Sequence, residues 1–223
     1  MIRCSIFLLA VTGCTGELDP PWQLAHDRIV AVRADPPRIE AGASTTLAVL
    51  VAHAAGPTSI ELPESIIVMS PPSMATRTTD AGDRLTAPDE AQLTLARQEL
   101  GLTADAPVPL ALQLEADGFA ALTTIWLGAT GANPALDGVE IDGRSPDDML
   151  EVQAGVDVSL RVDVDDETSS VTWLSSCGTL HDFDLSHAVL NVEPEDPHDG
   201  ELVLVVRDFV GGTSWRVWPI HAE

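Results

Sequence analysis

The chain has 223 residues, 45% of them apolar, and a formal charge of −24 that sets 35 acidic residues against 11 arginines and no lysine. This length is enough for one or two globular domains, and the apolar fraction supplies material for packed cores. So acidic a chain lacks the basic residues that neutralise phosphates. Nucleic acid is therefore excluded as a partner, and so is an anionic lipid surface bound by charge alone.

The first 13 residues have the three parts of an export signal. Arg3 precedes a short apolar core at 5–11, and Thr12 and Gly13 are the small residues that a signal peptidase needs before its cleavage point. A helix that crosses a bilayer takes about 20 apolar residues, and this run is much shorter. We therefore expect residues 1–13 to be removed as a signal peptide.

Val11, Thr12, Gly13 and Cys14 resemble the lipobox of bacterial lipoproteins, in which an aliphatic and two small residues precede a cysteine. The resemblance implies a diacylglycerol, with acyl chains such as palmitate, on Cys14. Thr15 stands where some lipoproteins carry an inner-membrane retention aspartate, so the same resemblance implies the outer membrane, facing the periplasm or the cell surface. Stable anchoring takes more than one acyl chain, and a diacylated cysteine meets that need. An ordinary secretory signal is the alternative.

Residues 14–27 are predicted to be a lipid-anchored tether. Residues 15–27 span at most about 45 Å at full extension, so we expect the first domain to stay close to the membrane. Loss of Arg3 with the signal lowers the net charge of the remaining chain from −24 to −25.

Cysteine usage agrees with export. Cys4 leaves with the signal and Cys14 carries the lipid, so Cys177 is alone in an oxidising compartment and forms no intramolecular disulfide. We expect Cys177 to be a small buried apolar side chain. A zinc site made by Cys177, His181 and His187 is the alternative, although their spacing matches no compact zinc motif.

Between residues 28 and 130 the apolar residues alternate with a period of two, which is typical of β-strands. One segment differs, because 86–101 favours a helix with Thr86 as its N-cap, Asp89 three residues later and Gly101 at its end. The predicted strands of this region are 28–34, 65–70, 108–114 and 122–128.

The chain contains an internal repeat. IEAGASTTLAVLV at 39–51 aligns without gaps with VQAGVDVSLRVDV at 152–164, at an offset of 152 − 39 = 113. In each copy a glycine-containing turn precedes alternating apolar residues, which predicts a half-buried antiparallel strand. An offset near 100 residues is about the size of one sandwich domain, so two copies predict two domains.

The second copy continues with the same pattern. Gly211 and Gly212 predict the turn of its last hairpin, and residues 131–138, in a stretch rich in Gly and Ala, are predicted to be the linker between the domains. The predicted strands of the second copy are 171–176, 188–193, 201–208 and 213–220.

Two segments carry a resemblance to a fold family. Residues 28–51 resemble the opening of bacterial immunoglobulin-like (Ig-like) domains, and residues 201–217 resemble the terminal hairpin of Ig-like and PKD-like domains. The resemblance implies an all-β chain of two tandem Ig-like β-sandwiches, at 28–130 and 139–223, with a short helix in the first. Trp173 is similar in position to the buried tryptophan of Ig strand C.

The last predicted strand contains two tryptophans. Trp215 and Trp218 are an odd number of positions apart, so on a regular strand they point to opposite faces. We expect one of them to enter the core and the other to lie on a contact surface or at the junction between the domains.

Acidic residues near the predicted linker are candidate calcium ligands. In an Ig-like sandwich the loop before Trp173 shares one end with the last hairpin, and the linker around Asn133 and Asp137 enters at the same end. Hard oxygen ligands from several loops are what Ca²⁺ requires. No calcium-loop motif is present, so solvated acidic loops are the alternative. The candidate ligands are Asp165, Asp166, Glu167 and Asp208.

The sequence contains no catalytic, phosphate-binding or paired-cysteine motif. We therefore predict a protein that is not an enzyme, has no resident cofactor, and acts in the cell envelope as an Ig-like interaction or scaffolding module for an envelope protein or glycan. The runner-up is a calcium-dependent adhesion or glycan-binding module. A hydrolase with a site at the domain junction is a third hypothesis, and no motif supports it.

Overall fold

The computed structural model describes residues 19–75, 78–164 and 168–223. Within these residues the chain is all-β, apart from one α-helix, α1 (Glu90–Leu100), and a single 3-10 turn at Pro72–Met74. No helix in this part of the chain combines the length and the apolar character that a bilayer crossing requires. The predicted signal and Cys14 lie outside the described residues.

Strands between residues 28 and 127 build the first of two sandwiches. They are β1 (Arg28–Asp35), β2 (Arg38–Ile39), β3 (Ser44–His53), β4 (Gly56–Glu61), β5 (Ser65–Ser70), β6 (Thr79–Ala81), β7 (Arg84–Thr86), β8 (Val108–Ala116) and β9 (Phe119–Leu127). One sheet has the order β1-β3-β7-β6, with β4 also paired to β3. The other has the order β2-β9-β8-β5.

Strands between residues 139 and 222 build the second sandwich. They are β10 (Val139–Ile141), β11 (Leu150–Val152), β12 (Val158–Val162), β13 (Ser170–Ser175), β14 (Thr179–His181), β15 (His187–Asn191), β16 (Asp199–Arg207) and β17 (Thr213–Ala222). One sheet has the order β10-β12-β15-β14, and the other has the order β11-β17-β16-β13.

The two sandwiches have the same topology. In each, the second strand leaves the sheet of the first and pairs in parallel with the last strand, as β2 does with β9 and β11 with β17. The two sheets of each sandwich correspond to the ABED and CFG sheets of the immunoglobulin fold. The predicted fold class, two Ig-like β-sandwiches with a short helix in the first, is confirmed.

The internal repeat occupies the same place in both sandwiches. Gly42 and Gly155 turn the chain at φ 73° and 75°, in the left-handed region that favours glycine. The N–H of Gly42 donates to the carbonyl oxygen of Pro88 at 3.0 Å, and the N–H of Gly155 donates to that of Val192 at 2.8 Å. The sequence repeat is therefore a structural repeat.

The helix begins three residues later than the sequence predicts. Asp89 is the N-cap, and its carboxylate accepts from the N–H of Gln92 at 2.9 Å. Thr86, the predicted cap, ends β7 instead, and its hydroxyl bonds that of Ser44 on β3 at 2.8 Å. Gly101 ends the helix in the left-handed conformation, as predicted.

Replacing Asp89 with alanine should lower the free energy of unfolding by about 1 kcal/mol, because the first turn of α1 loses its side-chain acceptor. Urea denaturation followed by circular dichroism measures this change. Thr86→Ser is the matched control, because serine keeps the hydroxyl that bonds Ser44 and Thr86 caps no helix. A larger loss from Thr86→Ser than from Asp89→Ala would contradict the assignment of the cap.

The four sheets stack face to face, with an apolar layer in each of the three gaps. The first sandwich encloses a core around Leu47 and Leu112, and the second encloses a core around Trp173. A third cluster fills the gap between the β1-β3-β7-β6 sheet and the β11-β17-β16-β13 sheet. Its members are Leu24, Ala31, Leu50, Ala52, Leu174, Val203, Val205 and Trp215.

This third layer changes the environment of β3. The strand is predicted to be half-buried, with Leu47 and its alternate neighbours facing the core. That holds for β12 of the second sandwich, but it is wrong for β3, where Leu50 and Ala52 on the other face are also 0% exposed. The second sandwich covers that face.

The two tryptophans of β17 divide between the two apolar layers. Trp218 lies in the core of the second sandwich, and Trp215 lies in the layer between the sandwiches. The guanidinium carbon of Arg33 stands 4.4 Å from the centre of the Trp215 ring, so the first sandwich holds Trp215 by a cation–π contact. The predicted division between core and junction is confirmed.

The segments before and between the sandwiches are fixed by hydrogen bonds. The carbonyl oxygen of Ser175 on β13 accepts from the N–H of Leu24 at 2.8 Å, and the N–H of Ser175 donates to the carbonyl oxygen of Trp22 at 3.0 Å. In the predicted linker, the side-chain NH₂ of Asn133 donates to the carbonyl oxygen of Ala34 at 2.9 Å, and its side-chain oxygen accepts from the N–H of Thr213 at 2.9 Å. These bonds join the first sandwich, the linker and the second sandwich.

Candidate functional site

Of the predicted calcium ligands, the structure describes Asp208 and leaves Asp165, Asp166 and Glu167 outside the described residues. The carboxylate of Asp208 accepts from the N–H of Val210 at 2.9 Å and from that of Gly212 at 2.6 Å. It therefore stabilises the turn of the β16-β17 hairpin. Calcium binding by the four residues stays a prediction.

The other proposed metal ligands do not converge. Cys177 is buried, whereas His181 and His187 are exposed. Burial raises the pKa of the Cys177 thiol, and the charges of Asp196 and Asp199 add to this, against an opposing hydrogen bond from Ser175. The expectation of a buried apolar cysteine is confirmed. Over the described ranges, no three His, Cys, Asp or Glu side chains are grouped to hold a metal ion.

The outer face of the β2-β9-β8-β5 sheet exposes several large apolar side chains. The alternate residues of β8 from Val108 to Leu114 face the core, so Gln113 faces outwards. Gln113 pairs with Ile67 on one side and with Leu122 on the other, which places all three in one row. Ile67 is 45% exposed and Leu122 is 76% exposed. We call this surface the exposed sheet face.

Charge is scarce on the exposed sheet face. Among the outward positions of β5, β8 and β9, all of which the structure describes, Glu115 supplies the one carboxylate, and it accepts from the Ser65 hydroxyl at 2.8 Å. This contrasts with a chain that has 35 acidic residues. The outer face of the second sandwich is polar, with Arg161 and Asp163 on it. Low charge therefore distinguishes this face from the outer face of the second sandwich.

A cleft of about 440 Å³ lies beside this face, at the junction of the sandwiches. Its walls come from β1, β9 and the β16-β17 hairpin, and they include Ile29, Val32 and Ala121. Phe209 at the tip of the hairpin is largely exposed. The guanidinium of Arg207 crosses the junction and donates to the carbonyl oxygen of Val30 at 2.8 Å, and burial lowers the pKa of this guanidinium.

The outer edge of β9 borders the cleft. On one side β9 pairs with β8 along its whole length, from Phe119 to Leu127. On the other side it pairs with β2 at only two residues, Trp126 and Leu127. The sequence predicted this strand at 122–128, three residues short of its observed start at Phe119, and it gave no signal that this edge is uncovered.

No protein-family model matches the chain, and no curated protein matches it either. Among solved structures, the chain is similar to the N-terminal Ig1-2 module of the Drosophila receptor protein tyrosine phosphatase DLAR, at 11% identity and a TM-score of 0.32, over 89% of this chain and 99% of that one. It is similar to murine CEACAM1b at 11% identity and a TM-score of 0.31, over 86% and 100% of the two chains.

A third similar structure is a nucleoside hydrolase-related hypothetical protein from Saccharophagus degradans, at 14% identity and a TM-score of 0.32. That match covers 41% of this chain and spans about a quarter, 26%, of the other protein. At these identities and TM-scores none of the three structures carries information about function. The assignment of the fold rests on the sheet topology of the chain itself.

Proposed function

We propose that the chain is a non-enzymatic, lipid-anchored interaction module of the bacterial cell envelope. The observation that carries the proposal is the exposed sheet face, where Ile67, Met69 and Leu122 are exposed on a nearly uncharged surface of a very acidic protein. Exposed apolar side chains grouped on one face of a domain are typical of a site that another protein covers.

The junction between the sandwiches supports a role in presenting this surface. The apolar layer around Leu50 and Val203 is buried, and Glu201 accepts from the N–H of Thr58 at 2.7 Å across the same junction. A large apolar junction holds two domains as one body, whereas small polar ones permit relative motion. The exposed sheet face is thus held in a fixed position relative to the second sandwich.

The anchor is proposed from the resemblance of residues 11–14 to a lipobox. Two acyl chains on Cys14, each methylene contributing about 0.8 kcal/mol when buried, would hold the protein at a bilayer without any basic surface. This suits a chain with 11 arginines and no lysine, because such a chain has no charge-based affinity for anionic lipid. We place the protein at the outer membrane.

The anchor is tested by measuring the intact mass and membrane fractionation of the full chain expressed in a Gram-negative host, beside Cys14→Ser. We expect a wild-type mass that begins at Cys14 and includes acyl chains, and a variant that loses both the acyl mass and the membrane association. Cys177→Ser is the matched control, since it removes a thiol that is buried in the second sandwich. An unlipidated wild type in the soluble fraction would overturn the anchor.

The interaction surface is tested separately by photo-crosslinking in cells. A photoreactive side chain replaces Ile67 on the exposed sheet face in one variant and Ser159 on the polar outer face of the second sandwich in another. We expect a defined crosslinked envelope partner from position 67 and none from position 159. Equal or absent crosslinking at the two positions would contradict the assignment of the surface.

A further inference from the structure

The outer edge of β9 presents main-chain groups in a regular row. On this side the N–H of Trp126 donates to the carbonyl oxygen of Pro37 at 3.2 Å, and the N–H of Gly128 donates to the carbonyl oxygen of Ile39 at 2.8 Å. Alternate residues of a strand direct their N–H and C=O groups to the same side. The same groups of Ala120, Leu122 and Thr124 therefore also point to the outer edge.

Within the described ranges, no strand or loop pairs with Ala120 or Leu122 on that edge. The β16-β17 hairpin closes one end of it, because a side chain on Gly211 would come within 2.7 Å of the carbonyl oxygen of Thr124. The β8-β9 turn closes the other end at Asp117. The open edge thus runs from residue 119 to the N–H of Thr124, which is the length of a short strand.

The cleft provides space for the side chains of an added strand. Ile29, Val32 and Ala121 line it, and these three contact the core of the first sandwich. On an added strand, every second side chain would point toward this apolar lining, and the others would point to solvent beside Leu122. An added strand with alternating apolar residues would therefore extend the sheet and also cover the open side of the core.

We propose that β9 binds an extended segment of a partner polypeptide as an added strand, a segment in which apolar residues alternate and a basic residue stands at each end. This inference rests on the proposed function and names its partner chemistry. Main-chain hydrogen bonds to residues 119–124 provide the affinity, and the apolar lining selects the alternate side chains. One basic end would lie near the half-exposed carboxylate of Asp117, which also stands 3.7 Å from His53, and the other near Asp208, which lines the cleft beside Arg207.

Charge argues against a second copy of this chain as the occupant. If two β9 edges paired antiparallel, Asp117 of one copy would face the Asp208 end of the other at both ends of the pair. Like charges placed opposite each other on paired strands are destabilising. The two chains would also bring together net charges of −24 each. A segment with basic ends would instead be attracted by the negative charge of this chain.

The first test measures amide hydrogen exchange by NMR on the full chain carrying Cys14→Ser, with the peptide Lys-Thr-Val-Thr-Val-Thr-Lys as the probe. We expect exchange at Ala120, Leu122 and Thr124 to slow at least about tenfold at saturating peptide, because each amide gains a hydrogen bond. The amides of Ala121 and Thr123, which face β8, serve as the internal control and should not change. Unchanged exchange at the edge with saturating peptide overturns the proposal.

The second test separates main-chain binding from side-chain docking. Leu122→Pro removes an outward N–H and leaves the β8 ladder intact, since proline is tolerated where the N–H faces solvent. Leu122→Ala removes the side chain and keeps the N–H. We expect Leu122→Pro to weaken peptide binding at least about tenfold and Leu122→Ala to change Kd by less than about threefold. A larger loss of peptide binding from Leu122→Ala than from Leu122→Pro would assign the contact to the exposed sheet face and overturn the proposal.

Two further outcomes are decisive. The peptide with Glu in place of both Lys residues should bind more weakly, and equal binding would overturn the role of Asp117 and Asp208. Protection of the edge amides that rises with protein concentration, without any peptide, would identify a second copy as the occupant and also overturn the proposal. Crosslinking from position 67 is independent of all these measurements, so strand addition can fail while the proposed function stands.

Discussion

Leu50→Asp should separate the two sandwiches. Leu50 is 0% exposed in the apolar layer between them, where its neighbours include Val203 and Trp215. An aspartate there removes apolar contacts and buries a carboxylate that has no partner, so we expect a loss of about 4 kcal/mol or more. The expected result is a lower urea midpoint, a larger radius of gyration in solution scattering, and faster proteolysis within 131–138.

The internal repeat supplies a matched control for Leu50→Asp. Asp163 is the equivalent position of the second sandwich, since 163 − 50 = 113, the repeat offset. Its side chain is 64% exposed, and it accepts from Arg161 at 2.9 Å. The reciprocal change, Asp163→Leu, should alter stability by less than about 1 kcal/mol, because exposed ion pairs contribute little. Equal effects at the two positions would mean that the layer around Leu50 does not join the sandwiches.

Trp173→Ala should destabilise the second sandwich by about 3–5 kcal/mol, because the indole is 0% exposed at the centre of its core. The substitution also removes the hydrogen bond from the indole N–H to the carbonyl oxygen of Leu185, at 3.1 Å. Urea denaturation followed by circular dichroism measures the change in the free energy of unfolding.

Trp173→Phe separates the two contributions. Phenylalanine keeps most of the apolar volume and loses the N–H, so the expected cost is about 1–3 kcal/mol, from the lost hydrogen bond and the smaller ring together. A phenylalanine variant as unstable as the alanine variant would show that the bond to Leu185 matters more than the packing. A wild-type midpoint for both variants would contradict the assignment of Trp173 to the core.

The sequence predicts the core of each sandwich well, because alternation reports directly which side chains of a strand share a face. It locates the repeat, the β16-β17 hairpin and the end of the helix at Gly101. It misses β10 and β14, which have three residues each and form by pairing with the longer strands β12 and β15. Thr86 and Asp89 are both good caps in isolation, and the pairing of β7 with β3 decides between them.

The candidate site is harder to predict, because one strand pattern has two structural outcomes. β3 reads STTLAVLVAH and β9 reads FAALTTIWL, and both carry apolar residues on both faces. The second sandwich covers Leu50 on β3, whereas Leu122 on β9 is exposed. Only the arrangement of the two sandwiches distinguishes these residues. The repeat does hold a clue, since Leu50 in one copy aligns with Asp163 in the other.

The bonds between Ser175 and residues 22–24 also determine how far the protein could stand from a bilayer. A chain anchored at Cys14 and free up to residue 27 would reach at most about 45 Å, but Trp22 and Leu24 are already bound to β13. Residues 15–21 alone span at most about 25 Å. An anchored molecule would thus be tethered through β13 of its second sandwich, and this strand would lie within about half the distance from the bilayer that residues 15–27 would allow.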